Sequence, residues 1–249
     1  MNRSGIVTLL TDFGLEDAYV GAMKGAILEV HRKATIVDIS HGVRPFAVLQ
    51  AAFLLDSAWR SFPAGTVHVA VVDPGVGSDR KAIAFKAGDH LFVGPDNGLF
   101  TFLNDPVSET VELATPPEAA PTFHGRDVFA PVAARLAAGA SLGEVGQPRR
   151  GEPVRLADAW ASKVGEAWRA QALHCDHFGN VISNLPIRAL ARIRAANGMP
   201  VRTVETYEDA APKELVALMG SSGRIEFALR EGSAAARLHV VPGETLLVT

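Results

Sequence analysis

The stretch Val67-His68-Val69-Ala70-Val71-Val72-Asp73-Pro74-Gly75-Val76-Gly77-Ser78-Asp79-Arg80 holds the sharpest boundary in the chain. A largely apolar run stops at an acid. A Pro/Gly turn follows, and then a fixed positive charge. A buried strand that ends in a carboxylate and turns at once is how an α/β protein presents a reactive group at its sheet edge. Gly75 and Gly77 carry no Cβ, so backbone there can approach a ligand closely. The same residues also fit a plain Pro-Gly turn with a surface Asp.

Outward from this boundary, strands and helices alternate. Residues 6–10 read as a buried strand that ends at Thr11-Asp12-Phe13-Gly14. Residues 17–30 carry helical apolar spacing at Val20, Met23, Ala26, Ile27 and Val30. A strand over 36–39 ends at Ser40-His41-Gly42, and a helix is expected over 48–59. After 67–72 come a pair of strands at 83–85 and 91–93, a turn at Pro95-Asp96-Asn97-Gly98, a short strand at 111–113 and a helix at 128–138. This alternation predicts an α/β domain with a mostly parallel sheet flanked by helices on both faces.

The character changes at Gln147-Pro148-Arg149-Arg150-Gly151-Glu152-Pro153, which is polar and rich in Pro and Gly. Shorter strands follow at 167–176, 181–182, 201–207, 224–229, 236–240 and 245–248, with short helices at 185–196 and 212–219. The expected organisation is an α/β catalytic domain over 1–147, a linker over 148–164 and a smaller, mainly antiparallel β-barrel-like C-terminal domain over 165–249.

The chain has 249 residues, 48% hydrophobic and 20% charged, enough for a full core and a polar surface. Its net charge of −3 favours neither nucleic acid nor an anionic membrane as partner. No apolar run reaches the ~18 residues that span a bilayer. The N-terminus, Met1-Asn2-Arg3-Ser4-Gly5-Ile6, lacks the sections of a signal peptide, so a cytoplasmic location is expected. The one cysteine, Cys175, forms no intrachain disulfide. Its neighbours His174 and Asp176 would point to the opposite strand face, so it reads as a structural thiol.

Four segments collect groups capable of chemistry. In Thr11-Asp12-Phe13-Gly14-Leu15-Glu16-Asp17-Ala18-Tyr19, Asp12 follows a strand and suits the two hydroxyls of a ribose, because each carboxylate oxygen accepts one O–H. Asp17 reads as the N-cap of the next helix. The second segment is Asp73 with Arg80. In the third, Phe123-His124-Gly125-Arg126-Asp127-Val128, His124 precedes a helix and is either a reactive imidazole or a solvated cap-region residue. In the fourth, Asp176-His177-Phe178-Gly179-Asn180-Val181-Ile182-Ser183-Asn184, Asn180 offers a donor and an acceptor that suit a purine edge, or simply completes a β-turn. No metal-ligand spacing, phosphate loop, dinucleotide fingerprint or G-x-S-x-G elbow is present, so no cofactor is expected.

Together with Val72-Asp73-Pro74-Gly75-Val76-Gly77, Gly94-Pro95-Asp96-Asn97-Gly98 and Ser221-Ser222-Gly223-Arg224-Ile225-Glu226-Phe227-Ala228, these segments resemble the S-adenosylmethionine (SAM) hydroxide adenosyltransferases, relatives of the fluorinase and chlorinase halogenases. The resemblance runs from about residue 6 to 248. It implies that SAM, as substrate, is split by water at ribose C5′ into adenosine and methionine. It maps the water-handling Asp, Arg and His onto Asp73, Arg80 and His124. Halogenases carry Tyr at the first and third of these positions, so the acid and imidazole point to hydroxide as nucleophile.

The resemblance further implies that Asp12 holds the ribose hydroxyls and Phe46 packs near the reacting centre. Asp176 and Ser221 would bind the amino-acid part, Asn180 the adenine edge, and Tyr207 the adenine face. It implies an α/β domain joined to a β-barrel and a homotrimer, with each site formed by the N-domain of one subunit and the C-domain of the next. One departure is Gly220-Ser221, where relatives usually show Asn-Ser.

Two other readings compete. The Asp-rich start of the first segment is reminiscent of metal-dependent nucleoside hydrolases, since clustered carboxylates suit a hard cation. The chain could also be a SAM- or adenosine-binding module that performs no chemistry.

Overall fold

The computed structural model describes residues 3–249; Met1 and Asn2, part of the N-terminal segment discussed above, lie outside the described residues. The chain divides into two compact units, one ending at Leu156 and the other running from Ala157 to Thr249. Of the segment 148–164, residues up to 156 belong to the first unit and the rest to the second.

In the first unit the order is β1 (Ile6–Thr11), α1 (Tyr19–Val30), β2 (Thr35–Ser40), α2 (Val48–Ala58), β3 (Val67–Val71), β4 (Ala82–Ala87), β5 (His90–Pro95), β6 (Val107–Glu112), α3 (Ala130–Ala137), α4 (Leu142–Val145) and β7 (Gln147–Pro148). The strands form one mixed sheet in the order β2-β1-β3-β5-β4-β6-β7. The pairs from β2 to β5 are parallel, and those from β5 to β7 antiparallel.

Alternation along the strands fills two cores. Val7, Leu9, Val67, Val69, Val71 and Val93 pack with Met23 and Ile27 of α1 and Ala133 and Leu136 of α3. Leu10, Ala70, Phe85 and Phe92 pack with Ala51 and Leu55 of α2 and with Trp59. Gly94 permits the β3–β5 approach, since a Cβ there would collide with the Ala70 carbonyl. Asp17 does not cap α1: the helix starts at Tyr19, and Ala18 holds the cap position without a side-chain bond.

The second unit contains β8 (Ser162–Val164), β9 (Ala167–Cys175), β10 (Val181–Ser183), β11 (Ala195–Ala196), β12 (Met199–Pro200), β13 (Arg202–Thr203), β14 (Leu215–Met219), β15 (Ile225–Leu229), α5 (Ala234–Leu238) and β16 (Thr245–Val248). They pair in the order β12-β11-β16-β9-β10-β15-β14-β13, with β8 on β9, as a mostly antiparallel, nearly closed, barrel-like sheet. Its interior holds Ala170, Val181, Leu215, Ile225, Phe227 and Leu246.

Several expected elements here take another form. Residues 212–219 yield strand β14, because Leu215 and Ala217 face one apolar cluster while Val216 and Leu218 face another. Of the strand expected over 236–240, residues 236–238 fall on α5 instead. The Ser233 hydroxyl caps it by accepting from the Ala236 N–H (3.1 Å), and His239 ends it in the left-handed conformation. The helix expected over 185–196 is a 3-10 segment, Ile187–Arg192, followed by β11. The strand expected over 201–207 shrinks to β13, and Tyr207 opens a short 3-10 turn, Tyr207–Asp209. Among the described residues, no helix is long and apolar enough to cross a membrane.

Candidate active site

Sheet register brings the first residues together. In the β1–β3 pair Thr11 lies opposite Val71, so the chain leaves both strands at one edge, with Asp12 and Asp73 just beyond it. β2, on the other side of β1, feeds the loop that carries Phe46. Thr11 Oγ1 bonds His41 Nδ1 (2.8 Å), and the Gly14 N–H donates to the His41 carbonyl (2.9 Å), tying the two strand exits together.

The loop after β3 folds back on itself. Turn bonds from Val76 N–H to the Asp73 carbonyl (3.2 Å) and from Ser78 N–H to the Gly75 carbonyl (3.1 Å) return Arg80 to Asp73. That is the structural content of their seven-residue spacing. Asn97 Nδ2 holds the strand exit by donating to the Val72 carbonyl (2.8 Å). Gly77, at φ +79°, lies so close to the next loop that a Cβ would sit 2.9 Å from the Pro121 carbonyl oxygen. That contact brings His124 within reach.

Arg80 grips Asp73 with two donors: Nε to Oδ1 at 3.0 Å, and Nη2 to Oδ2. Both side chains are buried, 8% and 5% exposed. Nη2 also meets His124 Nδ1 at 3.1 Å. A guanidinium only donates, so Nδ1 is the acceptor and the neutral ring carries its proton on Nε2. Burial first, and then the Arg80 cation, hold the His124 pKa below its ordinary value.

His124 stands at the head of a π-helical turn, Gly125–Phe129, that runs into α3. Such turns recur at functional sites because they displace one residue from the helical register. Asp127 secures the turn by accepting from the Ala120 N–H (2.9 Å) and pairing with Arg126.

Asp12, Phe46, Asp73 and His124 line one cavity of about 430 Å³ together with Phe13, Tyr19 and Phe123. The last three pack ring against ring, at centroid distances of 5.3–5.9 Å. Asp12 Oδ2 accepts the Phe46 N–H (2.8 Å). Burial pushes the Asp12 carboxyl up, against that bond, and the charge of Asp73 adds to the rise. Phe46 has φ +68° and a side chain 71% exposed. A bulky residue in the left-handed region is strained, a state found mostly where function requires it.

The remaining residues gather in the second unit. Asp176, Asn180, Tyr207 and Ser221 line a cavity of about 660 Å³, with Glu226 and Ala228 on its wall. Asp176 organises its turn by accepting N–H groups of Phe178 (3.0 Å) and Asn180 (2.8 Å) on Oδ1 and Asn180 Nδ2 (3.0 Å) on Oδ2. That leaves the Asn180 side-chain carbonyl oxygen and one side-chain amide hydrogen for a ligand. Ser221 lies exposed in the turn between β14 and β15. Cys175 is half-buried beside the barrel core.

Glu226 and the aromatic trio Phe13, Tyr19 and Phe123 lie in the quoted motif stretches but received no site role from the sequence. A charged residue alone in the strand Ile225–Leu229 is the signal that marks Glu226. Among the described residues, no group of three or more His, Cys, Asp or Glu side chains is arranged to hold a metal ion.

Comparison with known proteins places this geometry. Residues 7–146 match the SAM hydroxide adenosyltransferase N-terminal domain, and residues 170–247 the C-terminal domain. The chain is 40% identical to an (R)-S-adenosyl-L-methionine hydrolase of Salinispora tropica, covering 98% of this chain and 97% of that protein. It is 29% identical to a fluorinase of an Actinoplanes species over 74% of this chain and 72% of that protein. A crystal structure of an uncharacterized conserved protein from Thermotoga maritima superposes with a TM-score of 0.87 at 33% identity, covering 97% of this chain and 99% of that one. With both of its domains matched and both cavities in place, the chain belongs to the SAM hydroxide adenosyltransferase family and is related to the fluorinases.

Proposed function

We propose that this chain hydrolyses SAM to adenosine and L-methionine by in-line attack of water at ribose C5′. The observation that carries this reading is the buried Asp73–Arg80–His124 cluster at the wall of the cavity that also holds Asp12 and Phe46. The identity to a SAM hydrolase along nearly the whole chain supports it.

The leaving sulfonium departs as a neutral thioether and needs no general acid. The nucleophile needs alignment and partial removal of solvent. In this reading the Asp73 oxygens, each with a lone pair beyond its bond to Arg80, take the proton of the attacking water. His124 does not act as the base, because its Nδ1 is occupied by Arg80; its Nε2–H orients the water oxygen. Base assistance contributes typically ~10²–10⁴-fold, so alignment supplies much of the remainder. Attack by an anionic oxygen on a sulfonium annihilates charge. The aromatic wall of Phe13, Tyr19, Phe46 and Phe123 favours that step over the separated ions.

Asp12 holds the ribose diol, and Phe46 covers the reacting centre. In the second domain Asp176 and Ser221 bind the amino-acid part, Asn180 reads the adenine edge, and Tyr207 stacks on its face. Catalysis by residues 1–147 and ligand binding by 165–249, about a 148–164 linker, belong to the same proposal. So do a cytoplasmic location and a homotrimer in which each site takes its two halves from two copies. Light scattering at three times the chain mass would support the trimer.

The direct test is incubation with SAM in EDTA, followed by chromatography. Stoichiometric adenosine and methionine are expected. Release of adenine that EDTA abolishes would favour the nucleoside hydrolase, and tight binding without products the idle module.

A further inference from the structure

We infer that Glu226 is a positioning residue for the second-domain cavity: its carboxylate fixes the Tyr207 ring in the cavity wall, in room that Gly220 leaves for it. This rests on the reading above, in which that ring stacks on the adenine.

In β15, Ile225 and Phe227 turn into the barrel core, while Glu226 and Ala228 turn the other way. Glu226 is therefore a carboxylate only 6% exposed, placed opposite Leu218 on β14. Burying a charge there is costly without a compensating bond. Its Oε1 accepts the Tyr207 hydroxyl.

Tyr207 needs that bond as much as Glu226 does. It opens a three-residue turn closed by Thr206 and Asp209, and it is half exposed, so packing alone holds its ring weakly. An O–H to carboxylate bond is among the strongest available to a phenol.

The other charged groups on this cavity are committed elsewhere or carry the same sign. Asp176 holds its own turn, and Arg230 serves the carbonyls of Glu208 and Ala210 and the Glu208 carboxylate. Glu231 adds a further negative charge. Burial raises the pKa of Glu226, with the charge of Asp176 adding to it. Burial and then Glu226 raise that of Tyr207.

Gly220 completes the arrangement. A Cβ at this position would fall on the Glu226 carboxylate. A side chain there displaces Glu226 without altering either member of the pair.

The chain has two tyrosines, so Tyr19→Phe leaves Tyr207 alone for ultraviolet titration of the folded protein without SAM. In that background, Glu226→Gln and Gly220→Ala are each expected to bring Tyr207 ionisation down toward the ordinary ~10. In the otherwise native chain, Glu226→Gln is expected to raise KM for SAM about tenfold while kcat changes less than about twofold. Combined with Tyr207→Phe it adds nothing beyond the larger single effect.

An unchanged Tyr207 titration in both variants, or additive effects in the double variant, would overturn the inference. A native chain that releases no adenosine would overturn the proposed function instead, while the titration still decides whether the pair exists.

Discussion

Asp73→Asn separates the roles of the buried pair. The substitution keeps the shape of the side chain and removes its charge. Arg80, whose side chain is 8% exposed, is left as a buried cation without its carboxylate. Losing one member of such a pair costs about 3–5 kcal/mol. At ~2–4 °C per kcal/mol for a domain of this size, Tm falls by roughly 6–20 °C. Turnover loses the base as well, a drop of about 10²–10⁴-fold. Asp73 is assigned to the nucleophile and not to SAM itself, so KM moves less than about threefold. Melting by circular dichroism gives the first quantity. Adenosine release at saturating SAM, assayed well below the lowered Tm, gives the second. A variant with the native kcat would refute the assignment of Asp73, and an unchanged Tm would refute the energetics of the pair.

Arg80→Ala likewise lowers kcat far more than it weakens SAM binding; the reverse pattern in steady-state kinetics would place Arg80 in substrate binding. By NMR the His124 ring titrates below the ordinary ~6.5, and in Arg80→Met its midpoint rises part of the way back, because burial is the larger cause; an unmoved midpoint would show that Arg80 does not set its protonation. His68, bonded to Thr8 Oγ1 (2.8 Å) and His90 (3.0 Å), is held neutral by burial, with its pKa lowered to about 3. The unfolded chain takes up this proton below ~6.5 and the folded chain does not, so His68 costs up to about 1.4 kcal/mol of stability per pH unit as pH falls toward its folded value. Urea unfolding of His68→Gln between pH 4 and 6.5 should show a shallower pH dependence than the native chain, and equal slopes would contradict the burial argument. Phe46→Gly removes an exposed ring from a left-handed backbone, so KM should rise while Tm does not fall; a marked loss of Tm would mean the ring supports the fold.

The strand exits were legible because each residue reports its own neighbourhood. Asp73 follows an apolar run and precedes Pro74 and Gly75, so its place at the sheet edge is local information. That Arg80 returns to Asp73 depends on two consecutive turns, and that His124 joins them depends on Gly77 meeting Pro121. Those contacts are set by topology, and only the resemblance anticipated them. In the second domain the local signals were misleading. Residues 215–219 are a strand because both faces are covered, whereas the Ala run of α5 is a helix because Ser233 caps it. The Tyr207–Glu226 pair spans 19 residues and left only an isolated acid in an apolar strand as its trace. The Asp17 cap failed because the helix starts two residues later, at Tyr19, with Ala18 at the cap position in helical conformation.

Isotope labelling reads which bond forms. With SAM in ¹⁸O-water and EDTA, attack at C5′ places one heavy oxygen on the 5′ carbon of adenosine and none in methionine. Adenosine without the label, or label carried by S-ribosylmethionine alongside unlabelled adenine, would contradict attack at C5′.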